Sequence, residues 1–368
     1  VQRDLDHLHS LGVEIRHNQE VGRNVSLGSL KSEGFSSFVI AVGARNGLRL
    51  GIEGENCIGV YDGLDFLRAA RTGSPPPLGE KIGVIGGGDV AMDCSRTACR
   101  LGDGEVTVFY RRTRAEMPAQ KEELLDLFAE GGQLEELMAP QRIAATEGHL
   151  TSVEMITMRL GEPDESGRRR PEPIPGDDRI VELDTLIVAI GQRPDLSLFG
   201  EKEVKLTSSG YLDVDPTTLE TSIADVYAGG DIIGDGPSNI VKACGDGHII
   251  ADAIMSRHRN RPPKREPEED WPDFDHSDLL RRRAQVEPRV EIPHLEPGQR
   301  RGFAEVVVTL PQGDAQREAS RCLDCDIMCS TCDSVCPNRA IFTYCVRPQI
   351  IAIPQLAFKN GELVRGDA

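Results

Sequence analysis

Residues 81 to 110, KIGVIGGGDVAMDCSRTACRLGDGEVTVFY, constrain the fold of this chain more tightly than any other stretch. KIGVI reads as a strand, DVAMDCSRTACRLG as a helix and EVTVFY as a second strand, the opening of a βαβ unit and hence of an α/β fold. Between the first strand and the helix, Gly86, Gly88 and Ala91 match G-x-G-x-x-A. Glycine turns are common, but one that follows a strand and opens a helix lets backbone N–H groups and the helix N-terminus cradle a pyrophosphate. Gly86, Gly87, Gly88, Asp89, Val90 and Ala91 are therefore the expected dinucleotide contacts. At the end of the second strand, where a site for NAD carries an acid for the ribose 2′-hydroxyl, Arg111 and Arg112 stand instead. Two guanidiniums at that address fit a 2′-phosphate and point to NADPH, with a surface basic pair as the plain alternative.

At 368 residues the chain has the length of two or three domains. FSSFVIAVGAR, which reaches Gly43, is echoed by DTLIVAIGQRPD, which reaches Gly191, and the two flank the βαβ unit. The echo implies that one domain is inserted in another, the chain leaving the first near residue 73 and returning near 184. A further apolar strand, in ADVYAGGD, ends at Gly230 and Asp231, and a helix is expected from about Ser238. An acid at such a strand end can accept from a ribityl or ribose hydroxyl, and the helix N-terminus can face the electron-rich end of an isoalloxazine. A buried turn aspartate is the other reading. Seven prolines between residues 262 and 297 mark an extended linker with little structure of its own.

IADVYAGGDI, AVGAR, AIGQRPD and GVIGGGDVAMDCSRTACRLG, with RRTRAEMPA after the second strand, together resemble one flavoprotein family. It is that of the glutamate synthase small subunit, dihydropyrimidine dehydrogenase and the large subunit of NADH-dependent ferredoxin:NADP oxidoreductase, and the resemblance covers about residues 1 to 256. From residue 318, EASRCLDCDIMCSTCDSVCPNRA is similar to the C-terminal part of the selenate reductase iron-sulfur flavoprotein subunit. The resemblance implies an FAD-dependent NAD(P)H oxidoreductase with an NADPH-binding Rossmann-like domain inserted in an FAD-binding domain, the two-dinucleotide-binding-domain flavoprotein type. Family members open the FAD domain with their own G-x-G-x-x-G unit, and none precedes residue 81 here. The FAD-binding domain is thus expected to be incomplete, its ADP-binding half lying on another chain or in a longer protein.

The expected division is a partial FAD-binding domain at 1–72, an NADPH-binding domain at 73–183 and a returning FAD segment at 184–258. A linker at 259–312, an iron-sulfur segment at 313–345 and a tail at 346–368 follow. Gly43, Gly191, Gly230, Asp231 and Ser238 are the expected flavin contacts. NADPH would give a hydride to FAD, and the flavin would pass electrons singly to a [4Fe-4S] cluster, or the reverse. The cofactors carry that chemistry, so no catalytic side chain is assigned. A separate electron-acceptor protein or catalytic subunit is the expected partner.

Six of the ten cysteines fall between residues 322 and 345. Cys322, Cys325, Cys329, Cys332 and Cys336 follow C-x2-C-x3-C-x2-C-x3-C-P, one residue from the bacterial ferredoxin run, and are the expected cluster ligands in a small ferredoxin-like segment. The rival is a structural zinc site in a non-catalytic NADP(H)-binding subunit. Cys57, Cys94, Cys99 and Cys244 are expected to be small buried thiols; none forms a C-x-x-C beside a flavin, which argues against disulfide reductase chemistry. Sixty acidic against forty-two basic residues give a net charge of -18, which repels phosphate backbones and excludes nucleic acid as a partner. With no apolar run of about 18 residues, a membrane span is not expected and the cytoplasm is.

Overall fold

The computed structural model describes residues 2–163, 167–200, 203–234, 239–260 and 288–320, together with the backbone of 356–359 and 362–365. In chain order its first elements are α1 (Gln2–Ser10), α2 (Leu27–Ser32), β1 (Phe38–Ile40), β2 (Asn46–Gly47), β3 (Val60–Asp62) and α3 (Gly63–Arg71). The βαβ core follows as β4 (Lys81–Ile85), α4 (Asp89–Leu101) and β5 (Glu105–Tyr110), then α5 (Lys121–Ala129) and β6 (Gln133–Glu136). Three long strands come next, β7 (Met138–Thr146), β8 (His149–Pro163) and β9 (Arg169–Glu182), followed by β10 (Thr185–Val188), β11 (Gln192–Arg193) and β12 (Val226–Ala228). The last elements are α6 (Ile240–His258), α7 (Gln312–Ser320) and an antiparallel pair, β13 (Leu356–Lys359) and β14 (Glu362–Arg365).

A five-stranded parallel sheet, in the order β3-β10-β4-β5-β6, forms the first unit. Parallel strands covered on both faces carry apolar residues on both. One face of this sheet, with Val84, Val106, Val108 and Ile187, packs on Phe66, Met92 and Leu127 from α3, α4 and α5. The other, with Ile85, Phe109, Leu186 and Val188, packs on Met138, Val153 and Met155 from the antiparallel layer β7-β8-β9. The sheet reaches beyond the expected span of 73–183 at both ends. Its edge strand β3 is only three residues long, too short for a clear sequence signal. β10, expected to begin the returning segment, instead lies between β3 and β4, because TLIV is buried on both faces.

The second unit is assembled from both sides of the first. β1 pairs in parallel with β12, Phe38 opposite Val226 and Ile40 opposite Ala228. Their core includes Leu27, Leu198, Leu212, Tyr227, Ile232 and Ile250. Where the chain leaves this unit and where it returns, β2 and β11 pair antiparallel, Asn46 opposite Arg193 and Gly47 opposite Gln192. VEIRHN, which reads as a strand, forms none, and Val13 within it is exposed.

The described part of the proline-rich stretch has one 3-10 turn, Pro297–Gln299, yet it is held firmly. Val290 and Val306 are buried, and Arg300 passes its guanidinium to Asp126 at 2.9 Å and Glu130 at 3.4 Å, both on or beside α5. α7 follows, and its Glu318 accepts the Val290 N–H at 3.0 Å. Among the described residues no helix is long and apolar enough to cross a membrane.

Candidate functional site

The glycine turn sits at the C-terminal ends of β4 and β5, the side of a parallel sheet where ligands bind. Gly86 has φ +143°, and a Cβ there would overlap the carbonyl oxygen of Ala189 at the end of β10. A Cβ on Gly87 would overlap the ring of Tyr110. These two glycines let β4, β5 and β10 converge. Gly88 differs, since the nearest atom to a Cβ would be Pro118 Cγ at 3.9 Å. It is the N-cap of α4 and offers no side-chain cap; Ala91 N–H bonds back to Gly88 O at 2.9 Å, and the N–H groups of Asp89 and Val90 have no capping side chain. Ala91 is fully buried against the sheet, Val90 is half-buried and Asp89 exposed.

The RRTRAEMPA signature folds back beside this turn. Thr113 and Glu116 form a capping box around the 3-10 turn Arg114–Glu116, and Tyr110 Oη donates to Glu116 O at 3.1 Å. Ala119 N donates to Gly87 O at 3.1 Å and Gln120 N to Asp89 Oδ1 at 3.2 Å. The signature thus has a local structural task, which is to fix the wall of the glycine turn.

The two arginines part company. Arg111 is exposed at the end of β5. Arg112 is buried, 5% exposed, and its Nε donates to the Arg169 carbonyl of β9 at 2.6 Å. Its own carbonyl accepts Leu137 N at 3.1 Å. Arg112 therefore ties the antiparallel layer to the exit of β5, a contact between residues far apart in sequence that the dipeptide itself does not announce.

The ends of β1 and β12 form a second candidate site. Gly43 follows β1 and faces open space, while Gly191 stands at the return crossing, where Leu48 N donates to its carbonyl at 2.9 Å. Gly229 N donates to Ile40 O at 3.1 Å, locking the Gly229-Gly230-Asp231 turn to the end of β1. Asp231 is half-buried beside it. α6 opens at Ile240 under an Asn239 cap, and Ser238 lies outside the described residues, as do Cys322, Cys325, Cys329, Cys332, Cys336 and Cys345. Sequence reading missed Lys242 and Asp246, which hold this turn from α6. Their i, i+4 spacing on the expected helix was the available signal. Between the crossing strands and the β3 edge opens a cavity of about 500 Å³, lined among others by Arg45, Asn46, Tyr61, Asp62, Val188 and Asp195.

The buried and half-buried thiols carry no sign of activation. Burial pushes the Cys99 thiol up to about 11 and raises those of Cys57 and, further, Cys94, whose Sγ donates to Gly63 O at 3.5 Å. Of the four thiols expected to be buried, only Cys94 is; Cys57 and Cys99 are half-buried and Cys244 is exposed. Peptide mapping after brief alkylation at pH 8 is expected to find Cys244 modified at least about tenfold faster than Cys94, since Cys244 is exposed while burial both raises the Cys94 pKa and shields its thiol. Equal rates would mean that the core around α4 opens readily.

Residues 5–247 match the family described as pyridine nucleotide-disulphide oxidoreductase. NADPH-Fe(3+) oxidoreductase subunit beta of Geobacter sulfurreducens is 36% identical over 362 residues, covering 88% of this chain and 53% of its own length. The small chain of NADPH glutamate synthase from Escherichia coli is 35% identical over 262 residues, covering 67% of this chain and 55% of its own. The chain thus spans about half the length of these curated relatives. Mycobacterium tuberculosis FprA in complex with NADPH shares the fold with a TM-score of 0.55 at 19% identity, over 66% of this chain and 68% of that one. The expected α/β fold with two dinucleotide-binding units agrees with that likeness, and relatives that are oxidoreductase subunits do not favour the non-catalytic alternative. The chain belongs to the pyridine nucleotide-disulphide oxidoreductase family, among the FAD-dependent pyridine nucleotide oxidoreductases related to the glutamate synthase small chain.

Proposed function

We propose that this chain is the NADPH-linked electron-transfer part of a larger oxidoreductase, holding NADP(H) at the glycine turn and FAD at the ends of β1 and β12. The observation that carries this reading is the open, uncapped N-terminus of α4 at Gly88, flanked by the folded-back Thr113–Gln120 segment. A pyrophosphate fits there because the first-turn N–H groups supply donors and no side chain fills the space. On the flavin side, Gly43 leaves space at the end of β1 and Asp231 supplies an acceptor. When bound, FAD accepts a hydride from the nicotinamide and releases electrons one at a time, which is the chemistry this arrangement would serve. The chain's own residues bind and orient: Gly88 and the start of α4 receive the pyrophosphate, Arg111 the 2′-phosphate, and Asp231 a flavin hydroxyl.

The buried contact of Arg112 makes the arginine pair separable by experiment. Arg111→Ala is expected to weaken NADPH binding by about 1.5–3 kcal/mol while leaving NADH binding nearly unchanged. Arg112→Ala is expected to loosen β9 and lower stability without discriminating between the nucleotides. Fluorescence titration of both variants with both nucleotides checks this; equal loss of NADPH and NADH on Arg111→Ala would sink the assignment.

The cysteines from 322 to 336 complete the reading as ligands of a [4Fe-4S] cluster, and an acceptor protein or catalytic subunit as the next carrier. That three of the relatives are named as subunits or chains of larger enzymes supports a partner. Anaerobic reconstitution is expected to give about four irons with matching sulfide per chain, lost on Cys329→Ser or Cys332→Ser. One zinc and no sulfide would overturn it.

A further inference from the structure

The first turn of α6 carries a cation where a helix macrodipole disfavours one. Lys242 is the third residue of this helix, and its Nζ donates to Asp246 Oδ2 at 2.7 Å, one turn further on. The same oxygen accepts the backbone N–H of Gly230 at 2.8 Å. Asp246 is buried, 7% exposed, whereas the Lys242 side chain retains 30% of its exposure. Gly229, just before, comes so near that a Cβ on it would stand 2.9 Å from Asp246 Cβ and 3.0 Å from Ile250 Cδ1. The turn that ends in Asp231 is thus gripped from β1 on one side and from α6 on the other.

A single backbone N–H does not need a carboxylate as its acceptor. A neutral amide would satisfy it without the cost of withdrawing a charge from water. A carboxylate there requires a counter-charge, and Lys242 supplies it from the first turn of α6, whose Ala243 Cβ would lie 3.6 Å from a Cβ on Gly230. The result is an ion pair beside the Gly229-Gly230-Asp231 turn, in which the Lys242 ammonium and the Gly230 N–H donate to the same Asp246 oxygen.

We propose that Lys242 and Asp246 are positioning residues for the flavin end of the site: Asp246 holds the Gly230 N–H and so sets Asp231, while the balance of charge between the two sets how readily a bound flavin takes up electrons. This rests on the reading that FAD lies at the ends of β1 and β12. Charge near the ring tunes a flavin because the reduced form holds more negative charge than the oxidised one. Removing the cation therefore favours the oxidised form, and removing the anion favours the reduced form.

The test measures the flavin midpoint potential of the protein joined to its ADP-binding half and supplied with FAD, for Lys242→Met, Asp246→Asn and the double variant. Lys242→Met is expected to shift the equilibrium about tenfold toward oxidised flavin, ~30 mV lower for a two-electron couple. Asp246→Asn, which keeps an acceptor for Gly230, is expected to shift it by a similar factor the other way, and the double variant to return near the parent. Shifts of the same sign, or none, would overturn the charge assignment, since a purely structural pair has no reason to give opposite signs. The grip is read without flavin, by hydrogen exchange at the Gly230 amide: protection is expected in the parent and in Asp246→Asn, and at least a tenfold loss in Asp246→Ala. Unchanged exchange in Asp246→Ala would overturn the positioning role. Failure of the unmodified protein to take up FAD even when joined to the ADP-binding half that its FAD domain is expected to need would overturn the flavin reading itself and with it the flavin part of this assignment, leaving the exchange result to decide the grip alone.

Discussion

Glu130→Ala is expected to lower stability by about 3–5 kcal/mol, because it leaves several buried cations without their shared partner. The Glu130 carboxylate is 3% exposed and accepts from Arg96 Nη2 at 2.8 Å, Arg100 Nη2 at 3.0 Å and Arg300 Nη1 at 3.4 Å. Arg96 also pairs with Glu123 and Asp126, so the cluster ties α4 to α5 and both to the segment that leads into α7. Burial alone would raise the Glu130 pKa, but the hydrogen bonds from Arg96 and Arg100 outweigh it and hold the carboxyl below its ordinary value. A carboxyl depressed in the folded state stabilises the protein above its unfolded pKa, about 4.3, and that contribution fades as pH falls through the lower folded value. Acid is therefore expected to loosen this cluster below about pH 4, and Glu130→Gln to flatten that part of the pH profile. Urea unfolding of the parent and both variants at neutral and acid pH is the measurement. An unchanged midpoint for Glu130→Ala at pH 7 would mean that Glu123 and Asp126 carry the arginines without it.

The glycine turn offers the second large effect, and it separates folding from binding. Gly86→Ala combines a strained φ of +143° with overlap on the Ala189 carbonyl, and the backbone on both sides belongs to central strands. It is expected to cost at least about 2 kcal/mol and to abolish nucleotide binding. Gly88→Ala has an ordinary φ of −98° and free space around its new methyl. Its stability is expected to stay within about 0.5 kcal/mol of the parent, while the methyl enters the space proposed for the pyrophosphate and weakens NADPH at least about tenfold. Thermal unfolding beside nucleotide titration distinguishes the two. NADPH affinity unchanged by Gly88→Ala would move the pyrophosphate away from this turn.

The glycine turn and its flanking strands were readable because every determinant lies within thirty residues: apolar strands, glycines at fixed spacing, a helix opening at once. The echo of FVIAVGAR in LIVAIGQR was also real, but its meaning was only half legible. β1 belongs to one unit and β10 to the other, so what the two runs share is a strand feeding a crossing rather than membership of one sheet. β3 was hidden by its length. Arg112 was paired with Arg111 because adjacent residues in a sequence look alike; which of them turns inward is decided by Arg169, which arrives on a different layer. The proline-rich stretch read as an unattached linker because its composition says nothing of partners. Arg300 finds its acceptors on α5, about 170 residues earlier in the chain. Asp246 escaped notice for a similar reason: an acid in a glycine-rich helix carries no mark of the amide it will meet.

The pairing of β2 with β11 bears on how such a chain can be taken apart and reassembled. Because the outgoing and returning crossings lie side by side, with Asn46 opposite Arg193, the ends of everything between them stand about 5 Å apart. A segment whose ends nearly touch can be cut out or exchanged for another of different length without pulling on its host, as a cassette is changed in a holder. Residues 47 to 192 carry the five-stranded sheet and the strands of its antiparallel layer, with Arg112 bound to Arg169 inside the cassette rather than across its border. The Arg300 contact crosses that border from the far end of the chain, so a graft of this cassette into a host lacking the 288–320 segment would expose the cluster around Glu130 on its outer side. Under the proposed reading of the glycine turn, nucleotide preference would travel between hosts as one unit of inheritance, provided that the strap travels with it.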